Sequence, residues 1–146
     1  FLVDLFGAFT PEADIHPITA QRVNDTRFVG GMIAAGVPRG LQVSGLGNVP
    51  GDPIPTGVVL TLTLVNSQLP GWATVYPCSA SVPNTSVVNV EPNHEQSNAV
   101  VINLNPTGAA CIYSSVNTHA TLDVSGWAGT AFSPLTPARL VDTRFA

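Results

Sequence analysis

The stretch Gly57–Ser67 reads "GVVLTLTLVNS". β-Branched and apolar residues alternate along it with a period of two, the pattern of a strand with one face in a core. Working outward, the same signature recurs. "GWATVYPC" (Gly71–Cys78) follows a Pro-Gly turn, and "SVVNVEP" (Ser86–Pro92) and "NAVVINLN" (Asn98–Asn105) alternate again. "AACIYSS" follows the turn-like "NPTG" at Asn105–Gly108, and "HATLDVSGW" (His119–Trp127) completes the series. Upstream, "LQVSG" at Leu41–Gly45 reads as a strand, followed by a Pro/Gly-rich connection. Strand segments thus return every roughly 10–15 residues with turn chemistry between them, as in a sandwich or barrel. The expected fold is all-β: a two-sheet sandwich, jelly-roll or Ig-like, of roughly seven to nine strands. The best helix candidate, "TRFVGGMIAAG", holds one turn at most, because each glycine costs about 1 kcal/mol relative to Ala in a helix interior.

Composition agrees. Thirteen Gly and thirteen Pro accompany 45% hydrophobic residues in a chain of 146, which describes a turn-rich folded domain and not a linker. Charged residues make up only 10%, against about 25% in an average soluble domain. Lysine is absent, all five basic residues are arginine, and the net charge is −4. That balance argues against a nucleic-acid partner, which needs a basic face. No apolar run approaches the roughly 20 residues of a membrane-spanning helix, so membrane insertion is not expected. The two cysteines, Cys78 and Cys111, each sit beside an apolar, Tyr-containing run. In such a chain they suggest one disulfide and an oxidising compartment, with two buried free thiols as the alternative.

One phrase occurs twice. "RVNDTRF" stands at Arg22–Phe28 and "RLVDTRF" at Arg139–Phe145. The likeness extends upstream: "LVDLFGAF" at Leu2–Phe9 matches "TLDVSGWA" at Thr121–Ala128, and "HPITAQ" matches "SPLTPA". Asp4 thereby corresponds to Asp123, and Gly7 to Gly126. The middle of the chain contains no third copy, so this is not a short-period solenoid. The chain also opens within one copy, as expected for one module of a tandem array with both junctions included. On that reading residues 1–28 hold the C-terminal strand of a preceding repeat plus a junction segment. Residues 29–132 form the main β module, and residues 133–146 begin the next repeat.

These segments together, "TPARLVDTR", "GVVLTLTLV", "PGWATVYPC", "CIYSS" and "THATLDVSGW", resemble a repeated domain of large secreted and surface proteins of high-GC Gram-positive bacteria. The likeness covers nearly the whole chain. It implies an extracellular, β-rich accessory or repeat module and an oxidised Cys78–Cys111 pair, and it carries no catalytic residues with it. The first copy departs from the usual pattern at Asn24 and Gln21, where the second has Val141 and Ala138.

The R-x-x-D-T-R phrase places two guanidiniums around one carboxylate: Arg22, Asp25 and Arg27, then Arg139, Asp142 and Arg144. In an extended segment Asp25 and Arg27 share a face, while Arg22 needs a bend to join them. Arginine forks grip carboxylates bidentately, and the threonine hydroxyl can satisfy a backbone group. The expected role is a structural clamp or junction; the alternative is a site for an anion or an acidic sugar. Trp72 and Trp127 follow turn or glycine positions and are candidates for stacking on sugar rings, or else core anchors. His16, His94 and His119 lack metal-ligand spacing; Glu91, His94 and Glu95 form a solvated loop, with a weak metal site as the alternative. No metal or cofactor is expected. No G-x-S-x-G elbow occurs, and Asp4 and Asp123 are equivalent positions of two repeats, not a glycosidase pair. The chain therefore reads as a non-enzyme located outside the cell or at its surface. The leading expectation is a structural module of a fibre, stalk or adhesin whose partners are neighbouring copies, joined head to tail through the junction segments. The alternative is a carbohydrate-binding accessory module whose partner is a cell-wall or extracellular polysaccharide.

Overall fold

Strand β3 (Gly57–Val65) carries out the alternation read from its sequence. Val58, Leu60, Leu62 and Leu64 are fully buried, while Val59, Thr61 and Thr63 between them are partly exposed. The computed structural model describes Glu12, residues 14–133 and Arg139. Around β3, in chain order, stand β1 (Ile15–Asp25), β2 (Arg39–Gln42), β4 (Gly71–Pro77), β5 (Val88–Val90), β6 (Gln96–Asn103), β7 (Ala109–Ser114) and β8 (His119–Ala128). No α-helix occurs among the described residues. The "TRFVGGMIAAG" stretch is a series of turns, in which Ile33 bridges to Thr118.

The strands form two four-stranded sheets, ordered β1-β8-β3-β6 and β2-β7-β4-β5, and every pairing is antiparallel. The pairs β1–β8, β2–β7, β3–β6 and β4–β5 are the rungs of one long folded hairpin. Rolling that hairpin adds β3–β8 and β4–β7. This order is the jelly roll. The sequence left jelly-roll and Ig-like arrangements open, and strand order decides between them. The core lies between the sheets. Leu60, Leu62, Leu122 and Val124 of the first sheet meet Val75, Ile112, Val88 and Val90 of the second in one apolar cluster.

Two features of the first sheet position everything that follows. β1, which the sequence reading assigned to the segment 1–28, is an edge strand of this sheet, hydrogen-bonded along β8. Its pairing shifts register between Arg22 and Asn24, so Val23 is an inserted residue that re-aims its neighbours. Secondly, β1 begins where β8 ends, with Ile15 opposite Ala128. The chain therefore enters and leaves the sandwich at the same pole. The two ends are tied: Gly129 N–H donates to the Asp14 carbonyl (2.8 Å), and Ala131 N–H to Asp14 Oδ2 (3.2 Å). The Thr56 hydroxyl donates to the Gly129 carbonyl beside them. A side chain on Gly129 would meet the Asp14 carboxylate and displace it from its bond to the Ala131 N–H. Asp14 itself adopts a left-handed conformation at φ 52°, which short polar side chains tolerate better than most. Apart from Glu12 and Arg139, residues 1–13 and 134–146, including Asp4 and Gly7, lie outside the described residues.

Candidate functional site

The first copy of the repeated phrase folds into a chain of ion pairs on the outer face of the first sheet. Arg22 stands opposite Asp123 of β8. It grips that carboxylate with both prongs, Nε to Oδ1 at 2.9 Å and Nη2 to Oδ2 at 3.0 Å. Its Nη1 lies 3.5 Å from Asp25 Oδ2. Asp25 in turn accepts from Arg27 Nε (2.9 Å), Arg27 Nη2 (2.6 Å) and the Arg27 backbone N–H (3.1 Å). The three-residue step from Arg22 to Asp25 would place them on opposite faces of a regular strand. The inserted Val23 supplies the bend that brings them together.

The electrostatics follow from this geometry. The Arg27 hydrogen bonds hold the Asp25 carboxyl down at about 2, with Arg22 adding to the effect. Asp123, ahead of Asp25, raises the Arg22 guanidinium above its ordinary value, and Asp25 does the same for Arg27. Two cations and two anions cancel. Both guanidiniums spend their forks on protein carboxylates, which leaves little to recruit an anion from solution.

Thr26 completes the motif from the inside. It is fully buried, and its N–H donates to the Ala120 carbonyl (3.0 Å) while its Oγ1 accepts from the Ala120 N–H (2.8 Å). The same hydroxyl is hydrogen-bonded to His119 Nδ1 at 3.1 Å. Sequence reasoning missed Asp123 and His119 as partners of the phrase. A signal was present, because a D-x-x-G element, "VDLFG" in one copy and "LDVSG" in the other, precedes "DTR" in both.

The second sheet carries a different arrangement. Cys78 and Cys111 form a disulfide with Cα atoms 4.8 Å apart, on the outer face defined by Cys111 and Tyr113 of β7, between buried Ala110, Ile112 and Ser114. The bridge anchors one end of the loop 78–87. The other end is held by Val87, whose N–H donates to the Ala73 carbonyl (2.9 Å) and whose carbonyl accepts from Asn98 Nδ2 (2.8 Å). Between this loop and the sheet lies a cleft of about 380 Å³ lined by Trp72, Asn84, Thr85, Ser86, Asn89 and Arg139. Trp72 faces outward because its neighbour Ala73 is in the core. Its ring tilts against Tyr113, with centroids 5.3 Å apart, and the Trp72 backbone N–H donates to Ser115 Oγ (2.9 Å).

The structure does not bring the two tryptophans together. Trp127 lies in the first sheet opposite Val58 and His16, at the pole where the chain enters and leaves. It is half-buried against the core and stacks on the His16 ring at 3.8 Å. His16 Nε2 bonds to Asp14 Oδ1 (2.9 Å); this bond, and then the Ala131 N–H, hold the Asp14 carboxyl below its usual range. Arg139 lines the Trp72 cleft, whereas Asp142 and Arg144 lie outside the described residues. Glu91, His94 and Glu95 are exposed on a turn closed by His94 N–H to the Glu91 carbonyl. Among the described residues no group of three His, Cys, Asp or Glu is placed to hold a metal ion, and no helix is long and apolar enough to cross a membrane.

No protein-family model matches the chain, and no curated protein is significantly similar to it in sequence.

Proposed function

We propose that this chain is a non-catalytic module displayed outside the cell, an accessory domain that attaches its parent protein to carbohydrate of a cell wall or extracellular polysaccharide. The observation that carries this reading is the tie between the two ends of the sandwich, where Gly129 N–H reaches the Asp14 carbonyl at 2.8 Å. A sandwich whose first strand begins and last strand ends at one pole is built to hang from a parent protein at that pole. Units stacked head to tail along a fibre axis are served better by ends at opposite poles. The disulfide supports an oxidising compartment.

A second reading, a structural repeat of a surface fibre, stalk or adhesin, is favoured by the recurrence of the phrase at Arg139–Phe145. The two readings separate on molecular weight. Light scattering over a concentration series, with electron microscopy of the same sample, is expected to give a monomer throughout. Filaments or head-to-tail oligomers that vanish when residues 133–146 are deleted would establish the fibre reading instead.

A further inference from the structure

We propose that the cleft over Trp72 is a subsite for one pyranose ring of a neutral polysaccharide. This rests on the accessory-module reading and names its site and ligand class. Pockets for small ligands start at about 300 Å³, and the cleft offers about 380 Å³, room for a monosaccharide unit of a longer chain. Its lining has the two surfaces a pyranose presents. Trp72 offers a flat apolar face, braced by the tilted Tyr113 ring, for the C–H face of the sugar. Asn84, Thr85, Ser86 and Asn89 surround it with amides and hydroxyls. These groups both donate and accept, as vicinal sugar hydroxyls do. A purely apolar ligand would strand them without partners.

Two further observations point the same way. Thr85, a residue of the lining, has its Oγ1 buried with no hydrogen-bond partner. Unmet buried polar atoms are uncommon and call for a partner. The wall is also built in advance of any ligand. The loop 78–87 is fastened at Cys78 by the disulfide and at Val87 by two hydrogen bonds, which lowers the ordering cost of binding. Arg139 is the charged member of the lining, but the chain as a whole is acidic at −4 and has no lysine. That field disfavours polyanions at a distance and selects a neutral glycan.

The test uses the full chain in native affinity gels containing a soluble β-glucan, a mannan, a galactomannan or polygalacturonate. Tryptophan fluorescence is read in parallel on Trp127→Phe, which leaves Trp72 as the single reporter. At least one neutral glycan is expected to retard the protein and shift Trp72 emission. Trp72→Ala is expected to weaken that binding by about tenfold or more. Asn89→Ala, at an exposed position, is expected to weaken it as well, and it replaces Trp72→Ala if that variant does not fold. Retention by polygalacturonate alone would overturn the neutral assignment. Undiminished binding in both folded variants would overturn the site while leaving the accessory reading intact. The absence of any retention overturns the proposed subsite, and the molecular weight then decides separately whether the accessory reading falls too.

Discussion

Asp25 concentrates the electrostatics of the repeated phrase. It is held by three bonds from Arg27 and a longer contact with Arg22, and its folded value of about 2 lies below the ordinary 3.8. The sign follows from linkage. A lowered carboxyl stabilises the fold above its unfolded value, and that contribution drains away as pH falls through the folded one. Urea denaturation at a series of pH values should therefore show stability falling between about pH 4 and pH 2. Asp25→Asn should lose about 1–3 kcal/mol at neutral pH and flatten that acid limb. An unchanged limb would mean that Asp25 does not carry it. Thr26 tests the buried half of the motif. Thr26→Val keeps the shape but removes the acceptor for the Ala120 N–H, and should cost about 1–3 kcal/mol. Thr26→Ser should recover most of that in the same denaturation assay.

At the scale of elements, β3 and β8 carry the core and the disulfide staples the second sheet. Leu62 is fully buried at the middle of β3, opposite Leu122. Leu62→Ala should cost about 2–5 kcal/mol, the range for truncating a packed leucine. Replacing Cys78 and Cys111 together by serine opens a link between residues 33 apart. The chain-entropy account puts that loss at about 3–4 kcal/mol, readable as a lower urea midpoint. The strands themselves were legible because the alternation read over Gly57–Ser67, Asn98–Asn105 and His119–Trp127 is a local property. The Arg22–Asp25 pairing was not, since a regular strand forbids it. It needed the inserted Val23, and a register shift is set by the partner strand β8 and not by β1's own composition.

For the whole molecule, the decisive feature is that β1 begins and β8 ends at one pole. A chain in which residue 133 is joined to residue 14 by a short linker, and opened at the exposed turn of Asn93 and His94, should still fold cooperatively. Circular dichroism and a single urea transition would check this. Failure of that permutant alongside a folded parent would argue that the Asp14–Gly129 tie is not the closure described here. The same geometry explains why a duplicated phrase need not signal contact between modules. The first copy is consumed by a strand of its own sandwich, with Asp123 as its partner.

Composition, alternation and turn spacing pointed to an all-β sandwich, because each is read along the sequence, but they left the two cysteines open between a disulfide and two free thiols. The twofold spelling of the phrase was visible as well, and so was Trp72 as a residue to watch. Tertiary structure alone decided the jelly-roll order, since local patterns do not say which strands meet. It alone separated Trp72 from Trp127, paired Arg22 with Asp123, and placed Asn84, Thr85, Ser86 and Asn89 around one indole. Those juxtapositions join residues far apart in the chain, and only the rolling of the long hairpin brings them within reach of one another.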